Sequence, residues 1–236
     1  MAAELTASAF LARLEAEASE EQRVAYRRYF PGDESFIGVK MGTVFALAKE
    51  HLAMPVAELE TLLESPVHEA RAGACSVMGK AATHRKVTAE RHEELHDLYL
   101  RRHDRIDAWD LVDLAAHQVV GRWLLTRPRD VLYDLARSGF WPERRTAIVA
   151  TAAFLKQGQV DDTLAISRLL VDDPHDLVHK GAGWMLRYAG DVDRAALRAF
   201  LDDLAPRMPR AMLRAAVEKL EPAERKRYLG AARAAG

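Results

Sequence analysis

Residues 141–150 read WPERRTAIVA, a stretch that predicts an amphipathic helix beginning at a proline. Proline is tolerated in the first helical turn, where a missing N–H costs no intrahelical hydrogen bond. Ala147, Ile148 and Ala152 can face inward together, and the small alanines permit close packing against a neighbouring helix. The stretch therefore predicts a helix that packs against other helices.

Helical patterns of the same kind extend in both directions from this stretch, while strand signals are nearly absent. Nine prolines punctuate the patterns and divide the chain into segments that group in pairs. The predicted pairs are 5–17 with 20–29, 40–52 with 56–64, 68–82 with 88–101, 108–124 with 129–137, 142–157 with 161–171, 175–189 with 193–204, and 210–219 with 222–233.

One basic or aromatic position recurs on successive helices at spacings of 38, 36, 35 and 34 residues. Its members are Arg71, Trp109, Arg145, Lys180 and Arg214. This period is typical of two-helix HEAT-like repeats, whose stacking buries a shared core and aligns equivalent positions on one concave surface. We expect an all-α, HEAT-like helical-repeat solenoid, an α-α superhelix formed as a single domain over residues 1–236.

The composition, with 49% hydrophobic and 29% charged residues, is that of a globular protein. Cys75 is the single cysteine and has no partner for an internal disulfide. The acidic, amphipathic start of the chain lacks the basic and apolar regions of a signal peptide. No apolar run approaches the roughly 18 residues that a membrane span needs. We therefore expect a cytoplasmic protein without a membrane segment.

The net charge of −1 argues against nucleic acid, because DNA-binding domains are usually basic. The charges are unevenly placed along the chain. Residues 1–64 hold six Lys and Arg against eleven Asp and Glu, whereas residues 191–236 hold ten against seven. DNA binding would require the basic residues to be sorted onto one surface.

His92-Glu93-Glu94-Leu95-His96 matches the HExxH pattern of zinc peptidases, which places two imidazoles on one helix face. The extended form of the pattern is missing, since His103 lies one residue too far along. Leu95, Leu98 and Tyr99 account for the helix as a packing stripe with an otherwise solvated face. We expect neither a metal nor another cofactor.

Trp109 and Asp113 are four residues apart and share one helix face, with Leu111, Val112, Ala115 and Ala116 available for the core. Lys180 and Trp184 repeat this spacing further along the chain. Spacing alone favours a packed tryptophan and a solvated aspartate over a functional pair.

The segments WDLVD at 109–113, RRTAIVAT at 144–151 and KGAGWMLR at 180–187 follow one another at repeat spacing. In that order they resemble the AlkD-like DNA alkylation repair family, and the helical pairs extend the resemblance over essentially the whole chain. Tyr29-Phe30 and Phe36-Ile37-Gly38-Val39 also resemble the N-terminal signature of that family. The surrounding segment 31–42, PGDESFIGVKMG, is either a structured loop or a plain connector.

The resemblance implies a monofunctional DNA glycosylase of the DNA-3-methyladenine/7-alkylguanine type, which releases cationic N3- or N7-alkylated purines from duplex DNA. It places the catalytic aspartate at Asp113, the groove tryptophans at Trp109 and Trp184, and the motif arginine at Arg145, with Arg144 as the alternative. Asp113 would stabilise an oxocarbenium-like transition state and orient water. It further implies a monomer that needs no protein partner and is nucleoid-associated when bound to DNA.

Candidate phosphate contacts on the DNA are basic residues of the predicted inner helices and their connections, although each is equally well explained as an ordinary surface charge. They are Lys80, His84, Arg85, Lys86, Arg122, Arg144, Lys180, Arg187, Arg210, Arg214 and Lys219. Two alternatives stay open: a self-resistance glycosylase for bulky purine adducts of a DNA-alkylating natural product, and a non-catalytic HEAT-like scaffold that binds DNA or a protein partner.

Overall fold

A computed structural model describes residues 4–30 and 35–234 of the protein, with side chains up to residue 230. The described residues form helices and connecting turns, and no β-strand occurs among them. The predicted all-α helical-repeat fold is therefore confirmed. Within the described ranges, no helix combines the length and the apolar character that crossing a membrane requires.

The chain divides into two compact units, residues 1–119 and 120–236. The first unit contains α1 (Ala7–Ala16), α2 (Glu20–Tyr26), α3 (Met41–Glu50), α4 (Val56–Glu64), α5 (His68–Ala82), α6 (Ala89–Arg101) and α7 (Trp109–Ala116). Three of these helices begin at hydroxyl N-caps, because the side chains of Thr6, Ser19 and Thr88 accept backbone N–H bonds that the first turn leaves unpaired.

The second unit contains α8 (Asp130–Leu135), α9 (Trp141–Ala150), α10 (Ala152–Leu155), α11 (Asp161–Leu169), α12 (Asp176–Val192), α13 (Arg194–Leu204), α14 (Arg210–Ala216) and α15 (Pro222–Ala234). His175 caps α12 through its ring nitrogen Nδ1, and Asp193 caps α13 through its carboxylate. Prolines in the first turn of α9 and α15 agree with the expected use of proline at helix starts. The proposed organisation of the chain as one domain stays a prediction.

Two predicted helices are interrupted in the structure. The segment 108–124 is α7 followed by a π-helical turn at His117–Gly121 and a 3₁₀ turn at Leu124–Thr126. The segment 142–157 is divided at Thr151, whose hydroxyl donates to the Ile148 carbonyl 2.7 Å away. A threonine hydroxyl that bonds to a carbonyl of the preceding turn competes with the regular helical hydrogen bonds, and α9 ends at Ala150, directly before Thr151.

Glycines bring helices into close contact in each unit. A Cβ added at Gly79 of α5 would lie 2.6 Å from the Leu114 carbonyl oxygen of α7. A Cβ at Gly183 of α12 would lie at the same distance from the Met212 carbonyl oxygen of α14. Only a residue without a side chain fits at these crossings, so the two helices that carry the WDLVD and KGAGWMLR segments are held tightly to their neighbours.

Ion pairs within each unit join arginines to acids 31 to 42 residues away, which is about one repeat. The pairs are Arg71 with Asp107, Arg101 and Arg102 with Glu60, Arg129 with Asp162, Arg168 with Asp203, Arg187 with Glu218, and Arg207 with Asp172. The pairs of Arg168 with Asp203 and of Arg207 with Asp172 are exposed on both sides and contribute little to stability, whereas the side chains of Arg71, Arg102 and Arg129 are largely buried. Each of these arginines therefore has its charge compensated by an acid of the same unit.

Candidate active site

The WDLVD segment forms the first five residues of α7. Leu111 and Val112 are fully buried, and so are Ala115 and Ala116 one turn later, which confirms the predicted core face. Trp109 and Asp113 fall on the other side of the helix and are half-buried. The aromatic ring and the carboxylate are therefore both positioned by a packed helix while keeping access to solvent.

An aromatic cluster supports Trp109 from the N-terminal part of the chain. The Phe30 ring is stacked on the Trp109 ring, with centroids 5.8 Å apart and planes 8° from parallel. Phe30 also contacts Phe36 and His68, and the Phe36 and His68 rings are stacked at 4.2 Å. Since stacked rings restrict each other's rotation, the cluster fixes the orientation of the Trp109 indole.

Two polar contacts fasten the start of α7 to α5. His68 is fully buried, and its Nε2 lies 2.7 Å from Oδ2 of Asp110, the residue after Trp109. Arg71, one turn further along α5, donates to Asp107 at 2.6 Å. These bonds are needed because Ala108, the N-cap of α7, has no side chain that could hold the helix end. They flank Trp109 and hold its backbone in place.

Glu69 organises the loop that carries Phe36. Its carboxylate is fully buried and accepts three backbone N–H bonds, from Ile37 at 3.1 Å, Gly38 at 2.8 Å and Val39 at 3.0 Å. Gly38 has a φ of +89°, a left-handed conformation that favours glycine. Residues 35–40 are thus a structured loop, as one of the two interpretations predicted. Residues 31–34 of the same segment lie outside the described residues, and residues 41–42 begin α3.

In the second unit, α9 and α12 place the other predicted site residues. Trp184 is 37% exposed on α12. Arg145 is 5% exposed and donates to the Leu177 carbonyl. Its neighbour Arg144 forms a two-point ion pair with Asp173, at 2.5 and 3.1 Å, and gives a further N–H to the Ser138 carbonyl. Three N–H groups of Arg144 are therefore used within the protein.

The predicted phosphate contacts lie in different environments. Lys80 is half-buried and donates to Ser76, and burial together with Lys49 lowers the pKa of its ammonium group. Arg85 and Lys86 are exposed in the turn after α5. Lys180 is exposed with Asp176 at 3.5 Å. Arg187 is paired with Glu218, whereas Arg214 forms no ion pair within the described part of the chain.

The HExxH histidines serve as packing residues in the structure. His92 is 7% exposed, and its Nε2 lies 3.0 Å from the Val119 carbonyl oxygen. His96 is also buried, and its Nδ1 lies 3.1 Å from a carboxylate oxygen of Asp97. Among the described residues, no group of three His, Cys, Asp or Glu side chains could hold a metal ion. Burial also raises the pKa of the Cys75 thiol, which disfavours the reactive thiolate.

The sequence interpretation missed the supports of Trp109, namely His68, Glu69 and Asp110. Their only local signal is the pair His68-Glu69 at the start of a helix, where an acid is common and normally solvated. The bonding partners of the pair lie about 30 and 42 residues away in sequence. No periodic pattern connects such positions.

These features define an all-helical repeat protein that presents a tryptophan and an aspartate on one packed helix. The family model of the DNA alkylation repair enzyme matches residues 10–220. The chain therefore belongs to this family, as its resemblance to AlkD-like proteins predicted, and has a role in DNA repair.

A solved structure from Enterococcus faecalis, described as "Predicted DNA alkylation repair enzyme", is similar to this chain with a TM-score of 0.71 and 16% sequence identity. The match covers 87% of this chain and 98% of that one. At this identity the likeness shows the fold alone. No curated protein matches the chain.

Proposed function

We propose that this protein is a monofunctional DNA glycosylase that hydrolyses the N-glycosidic bond of cationic N3- or N7-alkylated purines in duplex DNA. The observation that carries the proposal is the face of α7, where Trp109 and Asp113 are half-buried on a helix whose start is fastened by His68 and Arg71. Bonds of this kind pre-organise a site without occupying it.

The proposed chemistry needs a carboxylate more than a general acid. An alkylated purine is already a cationic leaving group, so cleavage of its bond to C1′ develops positive charge on the sugar. Asp113 enters the proposed reaction ionised, stabilises that charge and orients the attacking water. The water adds to C1′, the bonding electrons leave with the neutralised base, and the proton of the water passes to the carboxylate or to solvent.

Trp109 would contribute the face of its indole ring to the cationic sugar, a contact of the cation–π type. Its stacking on Phe30 supports this role because the ring cannot turn its edge outward without losing that contact. Trp184 and Arg145 lie in the second unit, and their part in the reaction is carried over from the resemblance. Arg145 stays the proposed site arginine on the resemblance, with Arg144 as the alternative, because both side chains donate within the protein, Arg144 to Asp173 and Ser138 and Arg145 to the Leu177 carbonyl.

The experiment is base release from duplex DNA that bears one N7-methylguanine or one N3-methyladenine, with abasic sites measured in single turnover. Asp113→Asn should lower the rate by at least about 100-fold, since removing one group that stabilises transition-state charge typically costs 10²–10³. Asp134→Asn is the matched control, because Asp134 is an exposed acid on α8. A wild-type protein inactive on both lesions, or equal rates for wild type and the Asp113→Asn variant, would refute the proposal.

The role of the aromatic support is tested separately with Phe30→Leu, which keeps an apolar side chain but removes the stacked ring. The single-turnover rate should fall while the Kd for undamaged duplex stays within about twofold, because Phe30 is proposed to orient Trp109 and not to bind DNA. Phe200→Leu, at a buried phenylalanine of the second unit, should leave both quantities unchanged. An affinity for undamaged duplex that falls in parallel with the rate would contradict the orienting role.

A further inference from the structure

A wide cleft opens between α14 and α15 in the second unit, with a volume of about 930 Å³. Four basic side chains line it: Arg210 and Arg214 from α14, and Arg225 and Lys226 from α15. Glu218, in the connection between the two helices, is the acid among its lining residues. The cleft therefore brings together cations that are up to 16 residues apart in sequence.

Seven arginines of the unit form ion pairs with acids, whereas the four cations of the cleft form none among the described residues. Arg214, Arg225 and Lys226 are exposed and form no ion pair among the described residues. Arg210 uses one N–H on the Leu229 carbonyl at 3.0 Å, which fixes its side chain across the cleft. The acid Glu218 is already bound by Arg187 of α12. Four positive charges thus face one volume without a carboxylate available to neutralise them.

We propose that this cleft binds phosphate groups of the DNA backbone, an inference that rests on the DNA-binding part of the proposed function. Guanidinium groups hold phosphate oxygens through paired N–H bonds, and a lysine adds a compact charge. Uncompensated cations also gain most from binding, because each neutralised phosphate releases condensed counterions. Only one of the four, Arg214, belongs to the recurring repeat position, so α15 supplies a contribution that the period does not predict.

The cleft adjoins the helix face that bears Trp184. Arg187 follows Trp184 by three residues, so both lie on one side of α12. The ion pair between Arg187 and Glu218 links that side of α12 to the lining of the cleft. A strand whose phosphates lie in the cleft therefore continues toward Trp184, which favours a polymeric phosphate over a free anion.

The test is the salt dependence of binding to an undamaged, fluorescein-labelled 20-base-pair duplex, followed by anisotropy from about 0.05 to 0.3 M NaCl. The plot of log K against log salt has a negative slope, and each lost phosphate contact makes it shallower by about 0.9. Arg214→Ala/Lys226→Ala should therefore make the slope shallower by about 1 to 2. If the two proteins bind equally at 1 M salt, where the electrostatic contribution vanishes, this change in slope corresponds to roughly 8-fold to 60-fold weaker binding at 0.1 M. Arg210 is left unchanged because it also holds Leu229.

The matched control is Lys156→Ala/Arg194→Ala, which removes the same charge from exposed positions of the unit outside the cleft. Its slope should stay close to that of wild type, and both double variants should unfold at the wild-type temperature. An unchanged slope in the cleft variant, or an equal loss in the control, would overturn the proposal. So would micromolar binding of inorganic phosphate that the cleft variant abolishes without a change in duplex affinity.

Base release is measured in parallel on a duplex with one N7-methylguanine. A wild-type protein that releases no base but shows the loss of slope in the cleft variant would refute the glycosylase proposal and leave the cleft assignment intact. Normal base release together with an unchanged slope would refute the cleft alone.

Discussion

Replacing Glu69 by alanine should lower the free energy of unfolding by about 4 to 5 kcal/mol. The carboxylate accepts three backbone N–H bonds from the loop that carries Phe36. A hydrogen bond to a charged group contributes roughly 1.5 to 3 kcal/mol, and alanine would leave all three donors without that partner. We use about 1.5 kcal/mol for each because the loop can relax and admit water.

Glutamine at position 69 separates the contributions of the two carboxylate oxygens. Oε1 accepts from Gly38 and Val39, while Oε2 accepts from Ile37 alone. An amide can keep the first two bonds but presents its NH₂ to the N–H of Ile37. Glu69→Gln should therefore cost about 1.5 to 3 kcal/mol, between wild type and the alanine variant.

The assay is urea unfolding followed by far-UV circular dichroism, with the midpoint and slope fitted for each variant. For a chain of this size the alanine variant should also melt roughly 10 to 15 °C lower. Glu93→Ala, at an exposed position of α6, should stay within about 0.5 kcal/mol of wild type. An alanine variant within about 1 kcal/mol of wild type would show that the loop does not depend on this carboxylate.

Three further substitutions test the packing and the charges of the second unit. Gly183→Ala should destabilise by about 1 to 2 kcal/mol in urea unfolding, since its Cβ would lie 2.6 Å from the Met212 carbonyl oxygen and the strain exceeds the gain in helix propensity. Arg144→Ala should cost about 3 to 5 kcal/mol in the same assay because it leaves the buried carboxylate of Asp173 unpaired. Burial lowers the pKa of His175 in the folded protein. As the pH falls from 7 to 5, the unfolded chain therefore takes up the proton first, and the Tm drops. His175→Asn, which keeps a side-chain acceptor for the cap of α12, should reduce that drop in Tm.

Each of these substitutions has a counterpart elsewhere in the protein. Gly230→Ala meets no atom within 4 Å and should be neutral or stabilising, so a Gly183 variant that behaves alike would refute the close crossing. Arg168→Ala breaks an exposed pair and should cost less than about 1 kcal/mol. If Arg144→Ala lowers the free energy of unfolding by no more than Arg168→Ala, the burial of the Arg144–Asp173 pair does not increase its contribution to stability. His84→Asn, at an exposed histidine, should leave the pH dependence as in wild type.

The helical pairs could be predicted because their signals are local. Prolines mark the divisions between segments and the apolar spacing marks the faces, so the segment at 68–82 coincides with α5. The interruption after α7 could not be predicted in this way. It depends on how closely neighbouring helices approach, as at Gly121, where an added Cβ would clash with the Ala150 carbonyl oxygen.

Trp109 and Asp113 could be named from a family resemblance, whereas the residues that hold them could not. His68 and Glu69 resemble the ordinary polar start of a helix, and their burial is decided by a loop and a helix distant in sequence. The two arginines at 144 and 145 are a second case in which the sequence does not reveal the environment of a side chain. Two adjacent arginines look alike in sequence, but a buried ion pair with Asp173 distinguishes Arg144.

The pairing of arginines with acids one repeat away has a consequence for how a repair protein finds damage. A genome offers on the order of 10⁶–10⁹ undamaged sites that compete through their phosphates alone. Because most arginines here are already neutralised within each unit, we expect weak attraction to undamaged duplex and short residence at each position. On the proposed function, we expect the protein to sample many positions by repeated dissociation and to stay longer only where a lesion adds contacts that ordinary DNA lacks.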